Sequence, residues 1–541
     1  MCPWIKPFPT LPAANPYRMD FALWSLIVGW AFVLIWVPAT LYSQRKVHPK
    51  ALFVLFFAEL WERFSFYGMR ALLVLYLTKD LFDKMAAGEA DAKAYGIYGA
   101  YNALLYAAPV IGGMLADRAI GFRKAILTGG GFMALGQFIL ALSSGSTGAL
   151  HGESVFFLGL AALTVGNGLF KPNISSFLGT FYDRNDIRKD GAYTLFYMGI
   201  NIGAFLAPLT CGYLGQRVGW HYGFFSAGLG MLLGMIVFFL NFKHLEGKGH
   251  APESNAGWNF MGMKAYPLTL LGCLVVIPIF SFLIASEGIT DYILFAAGGA
   301  CLIYLLYTAF TAEDRAEGQR LFVFLILFFF HMIFWVLFEQ AGGSINILTD
   351  RFVDRAGIEA SQFQSVNALF IMLLAPVFNW LWGWLAKNKL EPRTPMKFFY
   401  GLLQMAIGYG IIVWGVKVGI ANGAGATAIP MGFLIGMYLL HTTGELFLSP
   451  VGLSVVTKLS PQKVVGFVMG SWFLSIAFAH KVAGKLGQAI ASAKTEVSDP
   501  VTELTGYMDV YLQWGVFIVL GCAAVLLLLT PTMKRWMHGI N

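Results

Sequence analysis

The sequence predicts an all-α integral membrane protein. It has two six-helix bundles, an inserted helix pair between them and one additional helix at the N-terminal side. Three observations lead there. Of 541 residues, 57% are hydrophobic and only 12% charged, whereas soluble domains carry about 25% charged residues. Apolar stretches long enough to cross a bilayer, about 20 residues each, recur along nearly the whole chain. Lysine and arginine gather in alternate loops, as they do on the cytoplasmic side of membrane proteins.

The apolar stretches fall at 21–42, 50–78, 94–116, 122–143, 154–180, 191–214, 220–241, 266–286, 291–311, 320–349, 362–386, 396–418, 429–457, 464–490 and 509–531. If the loop at 43–50 is inside, the inside loops hold Arg45, Lys46, Arg118, Arg123, Lys124, Arg184, Arg188 and Lys189 in the first half. Later inside loops hold Lys243, Lys248, Arg315, Lys387, Arg393, Lys458, Lys463, Lys534 and Arg535, while the outer loop 494–509 is mostly acidic. The net charge of +8 therefore marks a cytoplasmic face and no nucleic-acid partner. The loops divide the chain into an N-terminal extension (1–48), a first bundle (49–242), a linker with two inserted helices (243–319) and a second bundle (320–541). Stretch 21–42 is too long for a signal peptide and lacks a small-residue cleavage site, so it is expected to span, with its N-terminus outside. The five cysteines, Cys2, Cys211, Cys273, Cys301 and Cys522, have no metal-ligand spacing.

Ionisable groups in hydrocarbon cost at least about 2.5–3.5 kcal/mol each. They persist where paired or where they line a cavity. Glu59, Glu62, Arg63 and Arg70 share one side of a single apolar stretch, with Tyr67 one turn beyond Arg63. A static ion-pair network is the plainer reading of that stripe, and a functional cluster is the sharper one. Lys171 is followed by Pro172, which frees a backbone carbonyl. Glu339 and Glu445 are each the lone acid in mid-span. Bases in the first half and acids in the second suit a dipolar solute held near mid-membrane between two bundles. His331, His441 and His480 also lie within spans. A local hydrogen bond is the plain reading of each, and proton transfer the alternative. No pattern implies a metal, a cofactor or catalysis.

Several of these residues sit in recognisable strings. Gly113–Lys124 (GMLADRAIGFRK) resembles the loop motif of the major facilitator superfamily. Glu59–Gly68 (ELWERFSFYG), Gly168–Ser175 (GLFKPNIS) and Phe196–Gly203 (FYMGINIG) resemble the first-, fourth- and fifth-helix motifs of its proton-coupled oligopeptide transporter family. Phe334–Gln340 (FWVLFEQ), Gln364–Asn367 (QSVN), Gly444–Gly452 (GELFLSPVG) and Gly470–Phe473 (GSWF) agree with that family in the second half.

The resemblance implies the major facilitator fold and symport of di- and tripeptides with protons. It implies that Arg63, Tyr67 and Lys171 hold the peptide carboxylate, and that Asn201, Asn367 and Glu445 hold the amino end. Glu59 and Glu62, with Arg63, would couple protons. Arg70 and Glu339 would form an outer gate pair, and Tyr106, Trp335, Ser449 and Trp472 would line the cavity. The inserted pair matches prokaryotic members, so a monomer in a bacterial inner membrane is expected, with peptides, protons and lipid as partners.

The chain departs from the family pattern at Gly99, where animal members carry histidine, and at Asn367-Ala368, where many carry Asn-Pro. The first departure leaves coupling to carboxylates. Stretch 21–42 has no counterpart in the pattern. Two alternatives stay open on the sequence: a related carrier of nitrate, drugs or sugars, and a membrane protein that transports nothing.

Overall fold

The structure, a computed structural model, describes residues 20–145, 150–183, 186–251, 259–260, 263–425, 428–461, 464–492 and 499–540. Cys2, Arg184 and Lys463 lie outside them. Its helices are α1 (Phe21–Gln44), α2 (Lys50–Tyr76), α3 (Ala87–Ala107), α4 (Pro109–Leu115), α5 (Gly121–Gly145) and α6 (Glu153–Gly179). Next come α7 (Lys189–Tyr213), α8 (Trp220–Leu240), α9 (Ala265–Ala285), α10 (Glu287–Phe310), α11 (Arg315–Phe338) and α12 (Ser344–Phe352). The last are α13 (Ser365–Lys387), α14 (Thr394–Ala421), α15 (Met431–Leu459), α16 (Val465–Ser492), α17 (Pro500–Val510) and α18 (Val519–Trp536). Among the described residues two two-residue strand pairs also form: Asn259–Phe260 with Met263–Lys264, and Val353–Asp354 with Ile429–Pro430.

Each apolar stretch of the sequence lies on helix. Among the described residues, 13 segments are long and apolar enough to cross a membrane. One of these, Ala87–Gly145, is 59 residues long and holds two expected stretches. Only α2 is absent from them, because Lys50, Glu59, Glu62, Arg63 and Arg70 interrupt it. Three expectations change in detail. Stretch 94–116 is broken at Ala108, where α3 ends and Pro109 opens α4. Stretch 320–349 is not one helix: α11 ends at Phe338, a 3-10 turn covers Glu339–Gly342, and α12 restarts at Ser344 after Gly343. At the other end, α17 starts inside the expected acidic loop. Asp499 caps it, its carboxylate accepting from Thr502 N at 2.8 Å.

The chain forms two compact units. The first contains residues up to Asp83, Leu104–Ser286 and Ala356–Ala368; the second contains Lys84–Ala103, Glu287–Arg355 and Leu369 onward. In the first unit α2 is buried on every side and packs on α7 and α8. Antiparallel α5 and α6 meet through facing glycines. A Cβ on Gly129 would lie 2.6 Å from Gly166 O, and one on Gly136 would lie 2.7 Å from Gly159 O. Without a hydrophobic force between helices in lipid, small residues that admit close backbone contact drive such packing. Gly166→Val is therefore expected to destabilise the first unit by about 1–3 kcal/mol or more. Gly131→Val on α5, where a Cβ would meet nothing within 4 Å, is the matched control. Thermal unfolding in detergent compares them; equal melting of the two would refute this packing.

The loop motif has a local cause as well. A π-type turn, Ala116–Ile120, ends at Gly121 with φ 77°, a conformation that favours glycine. Arg123 then ties the start of α5 to the segment after α8, its amide donating to Gly249 O at 3.0 Å and its side chain to Leu245 O at 3.3 Å.

Helix α1 docks within the first unit. Trp30 Nε1 donates to Thr210 Oγ1 of α7 at 2.9 Å. The buried Gln362 amide donates to Ala22 O, Ser25 Oγ and Leu209 O at 3.1–3.2 Å. Its remaining surface is apolar and exposed, including Val28, Leu34 and Ile35, as suits lipid contact. In the first unit α9 packs through Cys273 on Val165 and Leu169 of α6. In the second, Leu294 of α10 packs on Ala103 and Phe478.

Candidate functional site

The first unit buries a charged triad on α2. Glu59 (3% exposed), Glu62 (0%) and Arg63 (5%) stand on one face because their spacing nearly closes a helical turn. Arg63 Nε lies 2.9 Å from Glu59 Oε1 and 2.5 Å from Glu62 Oε2. Two carboxylates thus share one guanidinium in a dry interior. Glu62 Oε1 also accepts from Asn167 Nδ2 of α6 at 3.3 Å. Glu59 Oε2 is buried and makes no hydrogen bond among the described residues. The neighbouring helix approaches closely here, since a Cβ on Gly203 of α7 would collide with Leu60 O and sit 2.8 Å from Arg63 Cβ.

Lys171 stands one turn beyond Asn167 on α6, its Nζ 3.9 Å from the Tyr106 ring centroid. Cations favour such a ring face in desolvated sites. Pro172 has no amide to donate, and the chain is held at this point by Asn173, whose Nδ2 donates to Leu169 O at 2.7 Å and Gly112 O at 3.2 Å. Further along α2, Arg70 Cζ lies 5.8 Å from the Tyr67 ring centroid. Asn201 is buried on α7, its amide donating to Tyr197 O at 2.9 Å. Asn367 belongs to the same unit, near Ser365, whose hydroxyl donates to Phe205 O at 2.7 Å.

The second unit holds the other expected residues. Glu339 (2% exposed) sits where α11 gives way to the 3-10 turn, with His480 Nδ1 of α16 at 3.7 Å from Oε2. Trp335 and Trp472 come together through His331. Trp335 Nε1 donates to His331 Nε2 at 2.8 Å, so His331 Nδ1 carries the proton that meets Ser475 Oγ at 2.8 Å. The His331 and Trp472 rings are 4.0 Å apart. His331 therefore has the plain role of a satisfied local bond. Glu445 is buried at 9% exposure on α15. The side chain of Ser449 lies outside the described residues.

Several groups stand outside the pattern of mid-span charges in the sequence. Asn167 is neutral, though its place four residues before Lys171 was a signal. Arg351 of α12 makes a two-pronged contact with Asp91 of α3, at 2.7 and 2.8 Å, and a third with Glu503 of α17 at 2.8 Å. Lys481, 2% exposed, meets Asp291 at 2.8 Å, and Lys485 meets the same carboxylate at 2.9 Å.

Comparison with known proteins is consistent across sequence and structure. Residues 123–501 match the family model described as POT family. The chain is 37% identical to the peptide transporter YePEPT of Yersinia enterocolitica subsp. palearctica, over 91% of this chain and 96% of that protein. It is 32% identical to dipeptide and tripeptide permease A of Edwardsiella piscicida, with the same coverage. A crystal structure of the peptide transporter POT in complex with sulfate superposes with a TM-score of 0.76 at 34% identity, covering 91% of this chain and 96% of that one. A POT family transporter crystallised with a thioalcohol-conjugated peptide gives 0.74 at 30% identity, covering 90% and 97%.

Proposed function

The chain belongs to the POT family of membrane transporters, and from that premise we propose that it is a proton-coupled symporter importing di- and tripeptides by alternating access of two helical bundles. The observation that carries the proton part is the buried triad. Glu59 and Glu62 bring two negative charges and Arg63 one positive charge, all three side chains nearly fully buried. A proton on one carboxylate balances that set. The buried Glu59 Oε2, with no hydrogen bond among the described residues, is one place for it.

Coupling follows from competition for Arg63. A substrate carboxylate that takes the guanidinium leaves a glutamate without its partner. In a low-dielectric setting that glutamate then binds a proton. Arg63, Tyr67 and Lys171 would receive the peptide carboxylate. Asn201, Asn367 and Glu445 would receive its amino group. Tyr106, Trp335, Ser449 and Trp472 would offer walls that tolerate varied side chains, since charge reads only the termini. Arg70 and Glu339 would act as complementary charges that pair in one state of the cycle. A charge moving through about 100 mV gains about 2.3 kcal/mol, and one pH unit adds about 1.4 kcal/mol. One proton could then sustain a roughly 500-fold peptide gradient. The bacterial homology supports the inner membrane as its site, and the cycle needs only one copy of the chain.

The test is exchange across proteoliposomes loaded with unlabelled dialanine. Entry of labelled dialanine, competed by excess tripeptide and untouched by nitrate or glucose, is expected. Exchange competed by nitrate or sugar instead would replace the peptide reading.

A further inference from the structure

Glu339 faces a second titratable group that the charge logic above does not use. His480 Nδ1 lies 3.7 Å from Glu339 Oε2, with both side chains nearly dry, at 1% and 2% exposure. That separation is beyond a hydrogen bond but within ion-pair reach once the imidazole is protonated. The surroundings hold the pair in place. The Gln340 amide donates to Ala483 O at 2.9 Å, which ties the turn carrying Glu339 to α16. A Cβ on Gly99 of α3 would lie 3.1 Å from His480 O, and one on Gly484 would lie 2.7 Å from Tyr95 O. These two glycines let α3 and α16 touch backbone to backbone beside the histidine.

Several other ionisable groups on the neighbouring elements have partners of their own. Lys481 and Lys485, on α16 itself, bond Asp291 of α10, and Lys481 also lies 4.0 Å from Glu287. On α3, Asp91 bonds Arg351, Tyr95 meets Tyr507 of α17 at 3.5 Å, and Tyr98 donates to Glu339 O at 3.5 Å. Tyr101 is buried on the same helix. On α17, Glu503 bonds Arg351. On α11, His331 is held by Trp335 and Ser475. On α15, His441 packs on Tyr409 and Glu445 lies one turn further. Glu339 Oε2 thus faces His480 Nδ1 within ion-pair reach.

We propose that His480 is a second proton-handling residue of the transport cycle, working on Glu339 rather than on the α2 triad. A proton taken up from the outer side makes an imidazolium, which holds the Glu339 carboxylate. Its release to the inner side returns a neutral ring and leaves the carboxylate for a different cation. One proton enters, one leaves, and no other reactant is needed. His480 and Glu339 are 141 residues apart in the chain, so only the fold brings them together. The proposal rests on the symport reading given above and adds a histidine to a coupling scheme that otherwise uses carboxylates alone.

The test uses full-length protein in proteoliposomes, comparing wild type with His480→Gln in two assays. Dialanine exchange at equal pH reports the carrier without proton drive. Accumulation driven by a pH gradient, measured over a series of external pH values, reports the proton-driven cycle. His480→Gln is expected to keep exchange near wild type, to lose about tenfold or more in driven accumulation, and to flatten the pH profile. Wild-type accumulation with an unchanged pH profile would overturn the proposal. So would a parallel fall in both assays, which marks a structural role. If His480→Gln does not fold, judged by melting in detergent, His480→Asn is read by the same criteria. If the wild type exchanges no dialanine, the peptide reading fails and this inference falls with it.

Discussion

Glu62→Gln is expected to abolish proton-driven peptide accumulation while leaving peptide exchange in place. Glutamine mimics the protonated acid in shape and has no proton to release. The carrier can still cycle with substrate bound, because the cluster is then permanently in its neutralised form. It cannot return the coupling proton, so a pH gradient no longer does work on the peptide. The buried position of Glu62, at 0% exposure, makes the effect large, because a buried glutamine in its place carries no titratable proton. Glu59→Gln should behave in the same direction, since both carboxylates engage the same Arg63 Nε. Paired driven-uptake and exchange assays check both variants. Full uphill transport in each would sink the role given to this triad.

Arg351→Ala carries the largest expected cost to stability. Its guanidinium grips both oxygens of Asp91, and Asp91 is 1% exposed. Removing one partner of a buried pair leaves an uncompensated charge, which typically costs about 3–5 kcal/mol. The Arg351 side chain is 26% exposed, so a loss of about 3 kcal/mol, the low end of that range, is expected. Asp91→Asn in the same background removes the orphaned charge and should recover part of the loss. Thermal unfolding in detergent measures both variants against wild type. If Arg351→Ala melts like the wild type, this network is not what secures α3 to α12 and α17.

The helices were legible because lipid makes apolarity and length nearly sufficient criteria. The exceptions follow from the same rule. Stretch 50–78 carries buried charges, and α2 is helical there all the same. The ends were less visible. Asp91 and Arg351 lay outside the stretches drawn at 94–116 and 320–349, because a charged helix end reads as loop. The break at Glu339–Gly343 was hidden by the apolar residues on both sides, although Gly342 and Gly343 were a cue. The α2 triad was legible because its members share a helical turn. Asn167 was not, being neutral, and the His480–Glu339 approach was not, being purely tertiary.

The central claim is peptide transport driven by protons. Its most direct test is uptake of labelled dialanine into proteoliposomes under an inward pH gradient, with and without a protonophore. The account predicts accumulation above the external concentration, collapsed by the protonophore and competed by tripeptide. Uptake that only equilibrates, with the gradient intact and the protein folded, would contradict it.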